Sequence, residues 1–295
     1  MATSQASIAS AVAYKTVLFA TDFLSSSEAA LPCVQNLARL FDSTVIVAHA
    51  VPFESLTGLA AVPPVAGIDI EWQSAREALH SYKDRHPFAG IRHQFLLERG
   101  ATRGVIADLV KRLHVDLVIV GSHGRHGLQK MVLGSIAEQI FRTLPCPVLT
   151  IGPAVKSLPE NWSTRRILFS TTFAPASTHA LQHAVALAEA CHGELVLQHI
   201  VPLVMRDEQP TLTAFYEKRL RYLLRAYSPQ FTTRFDICFR LPEVGILETA
   251  KENDADLIVM GVHHAHFPRW DAHLPGGTAC DVISKAHCPV LTVSG

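Results

Sequence analysis

Val115-Asp-Leu-Val-Ile-Val-Gly-Ser-His-Gly124, then nine residues, then Gly134-Ser-Ile-Ala-Glu-Gln-Ile-Phe-Arg-Thr-Leu144, is the stretch from which the rest of this 295-residue chain can be read. The apolar run 115–120 predicts a buried strand, and the spacing over 135–144 predicts a helix with one apolar face. Between them stand Gly121, Gly124 and Gly134. Strand, glycine turn, loop, second glycine and helix aim backbone N–H groups and a helix N-terminus at one point, and oxyanions bind at such points. A purely structural account, in which Gly121 ends a strand and Gly134-Ser135 caps a helix, has no need of Gly124. A Cβ at that position would block close approach of a phosphate.

Outward from this stretch the chain alternates strands with helices. Apolar runs 15–22 (ending in an acid), 44–51, 116–120 and 146–151, with the alternating stretch 91–98, predict five strands. Helical spacing over 29–41, 70–86, 105–113 and 135–144 fills the intervals, with Pro32 near the start of the first helix, where it is tolerated best. Residues 53–69, apolar but rich in Pro and Gly, predict a loop or flap. Buried strands joined by helices imply a parallel sheet covered on both faces. Ser25-Ser-Ser-Glu28, Ser135-Ile-Ala-Glu138 and Thr278-Ala-Cys-Asp281 have the spacing of capping boxes.

The pattern then restarts. Arg166-Ile-Leu-Phe-Ser-Thr-Thr-Phe173 matches the first strand at an offset of 150, and His199-Ile-Val-Pro202 matches His49-Ala-Val-Pro52 at the same offset. Asp256-Leu-Ile-Val-Met-Gly261 and Pro289-Val-Leu-Thr292 repeat the fourth and fifth strands. An internal duplication accounts for these matches. It divides the chain into a first domain, 1–151, a linker, 152–164, and a second domain, 165–295. The copies differ where chemistry would lie. Thr172 replaces Asp22, His264 stands at the place of Gly124, and Gly277-Thr278 arrives after twelve residues rather than nine.

Composition narrows the function. Basic and acidic residues balance at 26 each, so no global field draws the chain to nucleic acid or an anionic membrane. No apolar run reaches the ~20 residues a membrane span needs. The first ten residues lack the basic n-region of a secretory signal, and the six cysteines form no CxxC pair. A reduced, cytoplasmic setting is the expectation.

The glycine pattern resembles that of the universal stress protein family, whose ATP-binding members carry G-x2-G-x9-G-[ST], and the likeness runs through both copies. The resemblance implies an α/β fold of two tandem doubly wound domains. Each would be a five-stranded parallel sheet with helices on both faces. The two would associate face to face through the last strands, 148–151 and 290–293, as an intrachain pseudo-dimer. It also implies ATP, or another adenine nucleotide, in the first domain. Ala20, Thr21 and Asp22 would border the adenosine, with Asp22 near ribose or a metal such as Mg²⁺. Ala50 would meet adenine through its backbone, and Val120 and Gly121 would line the ribose. Gly124, Arg125, Gly134, Ser135 and Ile136 would hold phosphates, and Ser122 and His123 belong to the same motif. Ala137 departs from the hydroxyl often found there, which removes about one hydrogen bond's worth of affinity, ~1 kcal/mol.

Three activities stay open on this reading: a nucleotide-dependent switch or adaptor in a stress response, a slow metal-dependent ATPase, and a nucleotide-free scaffold acting through protein partners. In the switch, occupancy would set the conformation of 53–69 and 125–133. No P-loop lysine follows a glycine turn. His123 reads as a turn residue before an acid–base catalyst, so no catalytic residue is assigned. The histidines 263, 264, 266 and 273 have no defined metal spacing and read as an ordered loop. His49 and His199 read as structural residues beneath the next turn. Cys146 and Cys288 read as small core residues, and Arg219, Arg221 and Arg225 as the solvated face of a helix. The stress, the partners and any further homo-oligomerisation are not fixed by sequence.

Overall fold

The computed structural model describes residues 12–52, 64–86, 88–121, 133–201, 208–227, 229–262 and 277–295. The first half contains β1 (Thr16–Ala20), α1 (Ser25–Glu28), α2 (Leu31–Phe41), β2 (Thr44–Val51), α3 (Pro64–Arg85), β3 (Arg92–Arg99), α4 (Thr102–Arg112), β4 (Leu117–Gly121), α5 (Ser135–Thr143) and β5 (Val148–Ile151). The second half repeats the series as β6 (Arg166–Thr171), α6 (Pro175–Cys191), β7 (Glu194–Val201), α7 (Gln209–Leu224), β8 (Thr232–Phe239), α8 (Pro242–Glu252), β9 (Leu257–Val262), α9 (Thr278–Lys285) and β10 (Val290–Ser294).

All strands join one sheet in the order β3-β2-β1-β4-β5-β10-β9-β6-β7-β8. Within each half the pairs are parallel, and β5 meets β10 antiparallel with Leu149 opposite Leu291. The expected pairing of the last strands is therefore present, but edge to edge rather than face to face. Backbone groups that would otherwise form two open sheet edges satisfy one another there.

Alternate residues of each strand enter opposite layers, as the period of two requires. Val17 and Phe19 of β1 join Leu117 and Ile119 of β4 in one core, which continues into Ile167 and Phe169 of β6. Leu18, Val118 and Val120 enter the other core, together with Leu168 and Ile258 of the second half. Both cores thus run through both copies. Asp116 and Asp256 fasten the strand starts in the same manner, accepting the N–H of Thr16 at 2.8 Å and of Arg166 at 2.9 Å.

Three sequence expectations need correction. The helix read from residue 70 begins at Pro64, so 64–69 are helix and not flap. Proline initiates it because the first helical N–H has no intrahelical partner to lose. The helix expected over 29–41 begins at Leu31, with Pro32 in its first turn, and a separate single turn, Ser25–Glu28, precedes it. The capping boxes do not form: the N-caps are Leu24, Gly134 and Gly277, without side-chain cap bonds. Ser135 and Thr278 therefore stand at the first helical position, one residue too late to cap. Residues 53–63 of the expected flap lie outside the described residues.

Candidate functional site

The strand order within each half reverses at β1 and β4, and likewise at β6 and β9. In open α/β sheets the crevice beyond the carboxyl ends at such a reversal is where ligands bind. In the first half β1 pairs with β4 so that Ala20 faces Val120, and with β2 so that Ala20 faces Ala48. This register brings Ala20, Thr21, Asp22, Ala50, Val120 and Gly121 to one end of the sheet. Gly134 is the N-cap of α5, with φ −62° and ψ 136°, and its carbonyl accepts the first helical bond from Glu138 N–H at 3.0 Å. Ser135 and Ile136 follow in the exposed first turn. Ser122, His123, Gly124 and Arg125 lie outside the described residues, as do His264 and the histidines of 263–273.

The turn after β1 is built from side chains. Thr21 is buried, and its Oγ1 accepts the N–H of Phe23 at 3.0 Å and shares a 2.7 Å hydrogen bond with Ser27 Oγ. Asp22 Oδ1 accepts the N–H of Leu24 at 3.0 Å, holding the carboxylate at the strand end. His49 Nδ1 lies 2.8 Å from the carbonyl oxygen of Thr21. A carbonyl only accepts, so this nitrogen carries the proton. The ring of Phe23 packs against that imidazole at 4.8 Å.

Phe23 has φ +61°, in the left-handed region that a bulky residue rarely enters. Phe173 repeats it at +62°. Thr171 Oγ1 accepts the Phe173 N–H at 2.9 Å, and His199 Nδ1 lies 2.8 Å from the Thr171 carbonyl. Burial lowers the pKa of His199, with Arg219 adding to the effect. The structural reading of both histidines holds. Sequence reasoning missed the strained turn itself, although Thr21-x-Phe23 and Thr171-x-Phe173 recur at the offset of 150 and carry its signal.

The remaining predicted residues fall into place. Cys146 and Cys288 are buried, and burial pushes both thiols up to about 12. All six cysteines are free thiols. On α7, Arg219 lies 4.1 Å over the Phe173 ring and Arg221 4.3 Å over Phe235, while Arg221 also pairs with Glu217. These guanidiniums are engaged within the chain rather than simply solvated. No group of three or more metal-ligating side chains occurs among the described residues.

The sequence model of the universal stress protein family matches residues 13–152 and again 163–294. The chain belongs to that family. A curated universal stress protein from Methanocaldococcus jannaschii is 29% identical over 140 residues, which is 47% of this chain and 82% of that protein. The relative is thus about the length of one half. The crystal structure of a universal stress protein from Archaeoglobus fulgidus covers 95% of this chain and 98% of its own at TM-score 0.73 and 21% identity, a likeness of fold. Another universal stress protein, solved in complex with cAMP, matches 48% of this chain and 98% of its own at 22% identity and TM-score 0.33. Among the described residues no helix is long and apolar enough to cross a membrane.

Proposed function

We propose that this universal stress protein binds ATP, or a related adenine nucleotide, in its first domain, and acts as a nucleotide-dependent switch or adaptor in a stress response. The observation that carries the reading is the coincidence of the complete glycine pattern at 121, 124 and 134 with the β1/β4 crevice, where α5 opens from Gly134. Ala20, Thr21 and Asp22 border the adenosine, Ala50 meets adenine, and Val120 and Gly121 line the ribose. The motif residues from Ser122 to Arg125 and the first turn of α5 at Gly134, Ser135 and Ile136 take the phosphates. The first-turn N–H groups of a helix have no intrahelical partners, so they suit an anion. Asp22, held at the strand end, is the residue to share Mg²⁺ with the phosphates.

The domain division 1–151, 152–164 and 165–295 belongs to the same proposal. So does a cytoplasmic setting, which free cysteines favour. Protein partners would read the nucleotide-dependent state.

The test is thermal stabilisation by ATP with Mg²⁺. The account expects a concentration-dependent rise in Tm that Gly124→Val abolishes. No rise in the unaltered chain would refute nucleotide binding and leave the scaffold. Phosphate release above the Gly124→Val background would make the protein a slow ATPase rather than a switch.

A further inference from the structure

The second half has a cavity of about 410 Å³ at its own strand reversal, between β6 and β9. Its walls differ in kind from those of the first site. Ile200 stands where Ala50 stands in the first half, narrowing the place an adenine would take, and joins Ile246 and Met260 in an apolar floor. Thr172 replaces the carboxylate of Asp22. Among the described residues its N–H and hydroxyl reach Ser177 Oγ, both at 3.3 Å, so the strand end presents neutral hydroxyls.

The cavity is closed from the other half of the molecule. Phe141 and Arg142, on the last turn of α5, form part of its wall. Arg142 Nη2 donates to Cys280 Sγ at 3.2 Å and pairs with Glu138 at 2.9 Å. Among the described residues Glu138 does not line the cavity, and those that do include no ionised side chain besides Arg142. Asp281, in the first turn of α9, is paired with Lys285. Among the described residues the charged group in the wall is thus the Arg142 guanidinium, already paired with Glu138, beside the N-terminus of α9 at Gly277 and Thr278.

We propose that this cavity is a second ligand site, completed across the domain boundary, for a small organic anion with an apolar body. The apolar part lies on Ile200, Ile246 and Met260, and the anionic group faces Arg142 and the start of α9. The site is independent of the nucleotide reading, since none of its walls belongs to the glycine pattern of the first half.

1-Anilinonaphthalene-8-sulfonate, an aromatic body with one sulfonate, is a suitable probe of the intact chain. Fluorescence titration should show one saturable class of site. Ala279→Trp, which places an indole at the cavity wall, should weaken binding at least tenfold. Arg142→Gln should weaken it several-fold, and Gly124→Val should leave it unchanged. Near-ultraviolet circular dichroism verifies that each variant is folded. Absence of saturable binding would overturn the proposal. So would equal affinity in Ala279→Trp and Arg142→Gln, which marks dye adsorbed elsewhere. Displacement of the dye by ATP in the Gly124→Val chain would make the cavity a nucleotide site and overturn it as well.

Discussion

Thr21 concentrates several roles in one residue. Its hydroxyl holds the N–H of Phe23 in a left-handed turn and engages Ser27, while its backbone carbonyl accepts the His49 Nδ1–H. A left-handed non-glycine residue costs about 1–3 kcal/mol and persists only where its surroundings demand it. Thr21→Val keeps the shape but leaves the Phe23 N–H without its acceptor, so it should destabilise the fold by about 1–3 kcal/mol in urea titration. Thr171→Val should behave alike, because the turn after β6 repeats the bond to the Phe173 N–H and the His199 contact, although Ser177 there engages Thr172 rather than Thr171. Loss of stability in only one of the two variants would break the equivalence. The positions of Thr and Phe are visible in the repeat, but the positive φ is not. Nothing in a phenylalanine announces a left-handed backbone, which arises from tertiary packing on His49 and Tyr82.

At the scale of elements, the central strands were legible because each is a short apolar run closed by a turn residue, as in Val118–Gly121, whereas the outer strands β3 and β8 are more polar. The helix starts were less so. Pro64 reads as a breaker in a Pro- and Gly-rich segment, yet it opens α3. Serine and threonine before an acid suggest capping boxes, yet Gly134 and Gly277 take the N-cap position and shift each hydroxyl into the helix. What the two copies share is thus a glycine cap. In the second copy the steric demand for it is slight: a Cβ on Gly277 would meet nothing within 4 Å. Gly277→Ala should cost under about 1 kcal/mol, the scale of an altered N-cap. Gly152 and Gly261 are different. A Cβ on Gly152 would overlap the Ile283 carbonyl oxygen at the end of α9, and one on Gly261 would lie 2.6 Å from the Ala176 carbonyl carbon in α6. Backbone must move to admit either, so Gly152→Ala and Gly261→Ala should each cost about 2 kcal/mol or more, read as the shift in denaturant midpoint. Equal tolerance of all three substitutions would show that these helices do not approach the sheet so closely.

Across the whole molecule, one sheet and two shared cores join the copies, so the halves should unfold together in a single calorimetric transition; two separated transitions would contradict that. The join carries a titratable group. Tyr14, ahead of β1, shares a 2.7 Å hydrogen bond with His183 Nδ1 on α6 of the second half. Burial, with His179 nearby, lowers the pKa of His183 from 6.5 to about 4. The unfolded chain therefore binds the proton more readily than the folded one between those values. Stability from this group is full above about pH 6.5 and is lost as pH falls toward 4, by an amount on the order of 3 kcal/mol. His183→Phe should flatten that part of the stability–pH curve. Duplication and the glycine pattern were readable in the sequence, since each is local or repeats at a fixed offset, whereas the order of strands in the sheet was not. The cross-domain wall of the second cavity was not, because Arg142 and Cys280 are 138 residues apart. The central claim is an asymmetry between two similar halves: a nucleotide in the first and none in the second. Calorimetric titration of the intact chain with ATP and Mg²⁺ tests it most directly. The account predicts one nucleotide per chain, lost in Gly124→Val and unchanged in His264→Val; two nucleotides per chain, or binding that survives Gly124→Val, would contradict it.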